Sequence, residues 1–95
     1  MTAHDTVILD ASLQIKDVEQ AHRRLLAALG GASSVSVDVS PIDVIDTAGL
    51  QLLLALQRGA ASGGVPVEFH GESAALSQAL SILGLRDALK LTPHA

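Results

Sequence analysis

Cysteine, tryptophan and tyrosine are absent from this 95-residue chain, and the one phenylalanine is Phe69. Without cysteine there is no disulfide framework, thiol nucleophile or sulfur-ligated zinc. With one aromatic ring, the stacking platforms used to bind single-stranded nucleic acid are missing too. Cations are scarce: six Lys and Arg face ten Asp and Glu, a net charge of -4. That balance disfavours contact with a phosphate backbone, so no nucleic-acid partner is expected. No apolar run approaches the roughly 18–20 residues of a membrane span, so direct membrane insertion is not expected. The opening MTAHDTV lacks the basic-then-apolar order of a secretory signal. A soluble, cytoplasmic protein is the expectation.

What is present is aliphatic. Hydrophobic residues make up 48% of the chain, enough for a packed core and too many for a wholly disordered segment. The length predicts a single domain, residues 1–95, whose size class buries about 60–65% of its unfolded surface.

The spacing of apolar residues predicts alternating strands and helices. TVILDASLQI reads as a strand over 6–9, a turn, and a second short strand over 12–15. Asp17 is placed to cap a helix, with Gln20 three residues on. Val18, Leu25, Leu26 and Leu29 form that helix's apolar stripe, and Gly30-Gly31 would end it in a left-handed conformation. SVSVDVS, residues 34–40, alternates most clearly: Val35, Val37 and Val39 face one way, Ser36, Asp38 and Ser40 the other, partly wet, way. Pro41 closes this strand. A helix over 47–61 ends at Ser62-Gly63-Gly64, and Val65, Val67 and Phe69 alternate with Glu68 and His70 opposite. A helix over 73–83 is capped by Ser73, carries Leu76, Leu80 and Leu83 on one face, and stops at Gly84. Residues 85–91 are predicted to form a last helical turn bearing Leu85, Leu89 and Leu91. Successive strand–helix units imply parallel strands with right-handed crossovers. The fold class expected is α/β, a small mixed β-sheet with helices mainly on one face.

Catalytic patterns are sparse. Asp38, Asp43 and Asp46 lie close in sequence, and a hard cation needs several oxygen ligands converging on one point. Solvated acids or helix caps are the simpler reading, and calcium-loop spacing is missing. A small enzyme or metal-binding protein built on these three acids is the least favoured alternative. His4, His22, His70 and His94 form no HxxxH or HExxH arrangement. There is no GxSxG elbow, GxGxxG or phosphate-binding P-loop. No enzyme, metal or cofactor is expected.

The informative stretch is VIDTAGLQLLLALQRGA, residues 44–60. Asp46 or Thr47 can accept an orphan amide hydrogen bond at the start of the helix. Gly49 is not explained by capping and costs helix propensity. Leu50, Leu53 and Leu54 make a packing stripe, but Leu52 and Leu56 lie well around the helix from it. So broad an apolar circumference means deep burial or a docking edge. With helices on one sheet face only, a docking edge is expected. Thr47 is also a candidate phosphoacceptor: the helix N-terminus would favour the phosphate, while Asp43 and Asp46 would oppose it.

VSVDVSPIDVIDTAGLQLLLALQRGAASGGVPVEFHG, followed by SAALSQALSILGLRDAL, resembles the STAS domain, the fold of bacterial anti-sigma factor antagonists. The likeness is strongest from Val35 to Leu89. It implies a non-enzymatic adaptor, many of whose relatives bind a serine kinase that is also an anti-sigma factor. In them, phosphorylation near the start of this helix breaks the complex. The usual phosphoserine stands immediately before the glycine, where this chain has Ala48; Thr47 matches the neighbouring hydroxyl position. DTAGLQLLLAL is similar to two other branches. One comprises STAS proteins of chemotaxis-type signalling and histidine kinases, which Gln57-Arg58 favours. The other is the small STAS subunit that docks on the ATPase of lipid-asymmetry ABC transporters. The resemblance therefore implies a protein-binding surface made by Asp46, Thr47, Ala48, Gly49, Leu50 and Leu52, modulated at Thr47. An anti-sigma factor or histidine-kinase-like protein is the leading partner, an ABC ATPase the alternative, and a second copy of the chain a further candidate.

Overall fold

The computed structural model describes residues 4–85, 88–89 and 91–92. Its elements run β1 (His4–Ile8), β2 (Ser12–Leu13), α1 (Ile15–Gly31), β3 (Ser34–Asp38), β4 (Val44–Ile45), α2 (Thr47–Ala61), β5 (Val67–His70), α3 (Ala74–Ile82) and β6 (Leu91–Thr92). The main sheet has strand order β1-β3-β5-β6, and its described ladders run parallel. The α/β architecture is thus the expected one, with helices packed against the small sheet. Val7, Val35, Val37 and Phe69 share one core with Ala21, Leu25, Leu50, Leu53, Leu76 and Leu80.

The serine face of β3 departs from simple alternation. Ser36 is buried rather than wet, and its hydroxyl lies 2.9 Å from His4 Nε2. A central strand is flanked on both sides, so a small polar residue there is covered by its neighbours. The His4 ring reaches across from the edge strand and also lies 2.8 Å from Ser34 Oγ through Nδ1.

Helix α1 begins two positions before the expected cap. Gln14 is its N-cap, and Asp17 is the third helical residue, accepting from the Gln14 backbone N–H at 3.1 Å. Asp17 is therefore the acidic partner of a capping box, not the cap. Leu25, Ala21 and Ala28 are buried, but Leu26 is solvent-exposed. At its far end the helix runs through Gly30 and Gly31 and leaves by an extended Ala32, with neither glycine in a left-handed conformation. The chain passes directly into β3, so no left-handed reversal is needed.

Three further differences lie in short segments. Val44 and Ile45, expected in a loop, form β4, which pairs in parallel with β2 through Ser12↔Val44 and Leu13↔Ile45. The last segment is not the expected helical turn: Leu91 and Thr92 add a parallel strand beside Phe69 and His70, and Leu89 is buried. Residues 86, 87 and 90 of that expected turn lie outside the described residues. On α3, Leu76 and Leu80 are buried, whereas Leu83 is 51% exposed.

Ser73 caps α3 as expected. Its hydroxyl accepts from Leu76 N–H at 3.1 Å and donates to the Ile42 carbonyl at 2.7 Å, all in buried surroundings. One side chain thereby fixes both the start of α3 and the connection between β3 and β4.

Candidate functional site

The β2–β4 ladder decides the geometry of the IDTAG turn. Both Asp43 N–H (2.7 Å) and Val44 N–H (3.0 Å) donate to the Ala11 carbonyl. This pairing brings the start of α1 beside the start of α2. Asp46 stands between them as the N-cap of α2. Its Oδ1 accepts from Gly49 N–H at 3.1 Å, and its Oδ2 accepts from Ile15 N–H, the first amide of α1, at 2.9 Å. These bonds favour the carboxylate, so the Asp46 pKa lies below its ordinary value, chiefly through the Gly49 amide and next through Ile15.

Gly49 is explained by the same junction. A methyl group there would overlap the Leu13 carbonyl oxygen and come within 2.9 Å of Leu13 Cγ. Glycine lets the first turn of α2 sit directly on the β2 backbone.

The six residues expected to bind a partner do not share one surface. Thr47 is exposed and Asp46 and Ala48 are half-buried, while Gly49 and Leu50 are buried. Leu50 is the floor of a groove of about 210 Å³ that is also lined by Ile45, Asp46, Thr47, Ala79, Ile82 and Leu83. A second hollow of about 290 Å³ adjoins it through Ile45, Ala79 and Ile82, and reaches Asp43 and Val44. Leu52 lies elsewhere, with His22, Leu29 and Leu56 in a cavity of about 260 Å³ between α1, α2 and β5. The broad apolar circumference of α2 thus divides into core residues and the linings of separate hollows.

The groove wall was not foreseen. Val44, Ile45, Ala79, Ile82 and Leu83 complete it, and Ile82 is 74% exposed. A signal for Ile82 existed: it stands two positions after Leu80, about 200° around the helix and off the buried stripe.

The three acids do not converge. Asp38 Oδ1 accepts from the Ser40 backbone N–H and hydroxyl at 2.9 and 2.7 Å, Asp46 is held by the two helix starts, and Asp43 is exposed. Among the described residues, no group of three or more His, Cys, Asp or Glu is placed to hold a metal ion.

The family model described as "Mlab, STAS domain" matches residues 2–93. No curated protein matches the chain. Among solved structures, the unphosphorylated anti-sigma factor antagonist SpoIIAA is similar at TM-score 0.72 and 15% identity, covering 100% of this chain and 84% of that one. RsbS of Moorella thermoacetica is similar at TM-score 0.70 and 23% identity, covering 95% of this chain and 79% of that one. The murine solute carrier 26 family member A9 anion transporter is similar at TM-score 0.77 and 17% identity, covering 100% of this chain but 17% of the transporter. These likenesses share the fold described above, and the family match spans nearly every residue that builds it. The chain belongs to the STAS-domain family and is a non-enzymatic regulatory module of the protein-interaction type.

Proposed function

We propose that this module acts in signal transduction by binding a protein through the start of α2 and the apolar groove beside it. The carrying observation is that Ile82, Leu83 and Val44, respectively 74%, 51% and 45% exposed, stand along one groove that ends at Thr47. Each such side chain, if fully covered, favours association by about 1.5–3 kcal/mol before the costs of ordering and lost motion. An isolated exposed apolar residue would need no partner, but a contiguous run beside a cavity does.

An anti-sigma factor or histidine-kinase-type protein is the leading partner, and Thr47 is the hydroxyl through which binding is modulated. A phosphate on Thr47 would stand at the start of α2 beside Asp46, so like-charge repulsion would act at the groove's end. The reading includes a cytoplasmic location and a single domain over residues 1–95. None of the described helices is long and apolar enough to cross a membrane. A second reading, docking on the ATPase of a lipid-transport system, is favoured by the description of the matched family model and by Ala48, which carries no hydroxyl.

Affinity capture with the parent chain, Ile82→Asp and Thr47→Glu tests both readings. Recovery of an anti-sigma factor or histidine kinase by the parent and its loss with Ile82→Asp supports the first. Recovery of an ABC ATPase replaces it with the second. Equal recovery by parent and Ile82→Asp refutes the groove as the binding surface. Intact mass after incubation with an active cognate kinase and ATP tests Thr47, and an unchanged mass removes the phosphate step.

A further inference from the structure

We propose that Asp46 is a mechanical link that relays events at Thr47 to the start of α1, making Ile15 part of the same responsive surface. This deepens the reading of that surface as a partner site and rests on it, although the link itself operates within one chain.

The first amides of a helix have no acceptor inside the helix. The Ile15 amide is the first of α1, and its acceptor is Oδ2 of a side chain 31 positions away. The same carboxylate caps α2 through Oδ1. Its two oxygens are thus divided between two helices, so a displacement that improves one bond strains the other. Gly49 rests against the Leu13 carbonyl, which stiffens the junction. The neighbouring Gln14 amide is held separately by Asp17 Oδ2 at 3.1 Å, so the response falls specifically on Ile15. Ile15 is 72% exposed, which puts an apolar side chain at the moving end of the link. A charge added at Thr47 would repel the Asp46 carboxylate, withdraw the acceptor from Ile15 and loosen the first turn of α1.

Asparagine separates the two roles of Asp46. Asp46→Asn keeps one carbonyl oxygen for Gly49, and asparagine is itself a favoured N-cap. Its amide group then faces the Ile15 N–H donor to donor. Amide hydrogen exchange and 1H–15N spectra of the free protein provide the test. In Asp46→Asn the Ile15 amide is expected to exchange about tenfold faster, as loss of a hydrogen bond to a charged acceptor requires. The Gly49 amide and the core amides of β3 are expected to remain protected. Thr47→Glu is expected to accelerate Ile15 exchange as well, and Thr47→Val to leave it unchanged. Ile15 exchange equal to the parent in both Asp46→Asn and Thr47→Glu would overturn the link. If Asp46→Asn does not fold, Thr47→Glu against Thr47→Val decides alone. Since no partner is present, failure of the link leaves the binding reading intact, and absence of any partner leaves the exchange result standing.

Discussion

Replacing Gly49 by alanine sets two effects of opposite sign against each other. In an exposed helix interior, Gly→Ala is favourable by roughly 1 kcal/mol, because alanine restricts the unfolded chain and solvates less backbone. At position 49 the added methyl meets the Leu13 carbonyl and, at 2.9 Å, Leu13 Cγ. The Leu13 side chain can rotate, but its backbone cannot easily retreat. Leu13 is paired with Ile45 in the β2–β4 ladder, and its carbonyl also accepts from Asp46 N–H at 3.4 Å. Overpacking against immobile backbone costs about 3 kcal/mol, the upper end of the usual range. The net expectation is a loss of about 2 kcal/mol, obtained as overpacking less propensity. For a domain with a urea m-value near 1 kcal/mol/M, that lowers the unfolding midpoint by about 2 M. Gly59 is the internal control, since it lies in the same helix with no atom within 4 Å of the added methyl. Gly59→Ala is expected to raise stability by about 0.5–1 kcal/mol. Urea unfolding followed by far-UV circular dichroism reads both variants. Parallel stabilisation of the two would refute the close-approach explanation of Gly49.

Three other outcomes are expected. Ser73→Ala removes the α3 cap and leaves the buried Ile42 carbonyl without its donor, so it should cost about 2–3 kcal/mol in the same urea assay; a loss within about 0.5 kcal/mol would contradict the double role. Ile82→Asp alters a side chain that is 74% exposed, so stability should stay within about 0.5 kcal/mol of the parent while partner affinity falls at least about tenfold. Asp17 and Asp46 both have pKa values below the ordinary 3.8, Asp17 chiefly through the Ser12 hydroxyl and Asp46 chiefly through the Gly49 amide. Their stabilisation is therefore complete above 3.8 and is lost as pH falls through the lower folded values, so acid unfolding of Asp46→Asn should be less pH-dependent than that of the parent in that range, as measured by urea midpoints.

Legibility followed the length of each element and how much of its stability is local. Helix α2 runs over the predicted 47–61, because fifteen residues of strong helix formers lie between a cap and a glycine pair. The Ser73 cap and the Gly84 stop were equally local, and Gly84 has φ 69 as a left-handed stop requires. The strands β4 and β6 are two residues each and exist only because a distant partner lies alongside, which no local pattern reports. Asp17 looked like a cap because an acid three residues before Gln20 fits the box motif; Gln14, a weaker cap by type, holds that position because β2 delivers the chain there. The Asp46 and Thr47 stretch was visible as a helix start, and Gly49 as unexplained. The contact that explains Gly49 is with Leu13, and the second acceptor role of Asp46 is with Ile15. Both depend on the ladder between β2 and β4. Leu26, Ile82 and Leu83 show the limit of reading burial from hydrophobicity: a helix on the outside of a one-sided layer has apolar positions with nothing above them.

The parallel ladders carry a consequence for how the chain acquires its shape. Each strand of the β1–β3 and β3–β5 pairs meets a partner roughly thirty positions away in sequence, and such pairing must close a long loop before any contact repays it. During synthesis, β1 has no ladder partner until Ser34–Asp38 has emerged, and β2 has none until Val44 and Ile45 follow. The earliest native structure available to the nascent chain is therefore helix α1, whose buried stripe must wait for the strands it covers. A cut between α1 and β3 would leave neither fragment with the β1–β3 ladder, so the two sides of that junction fold as one unit.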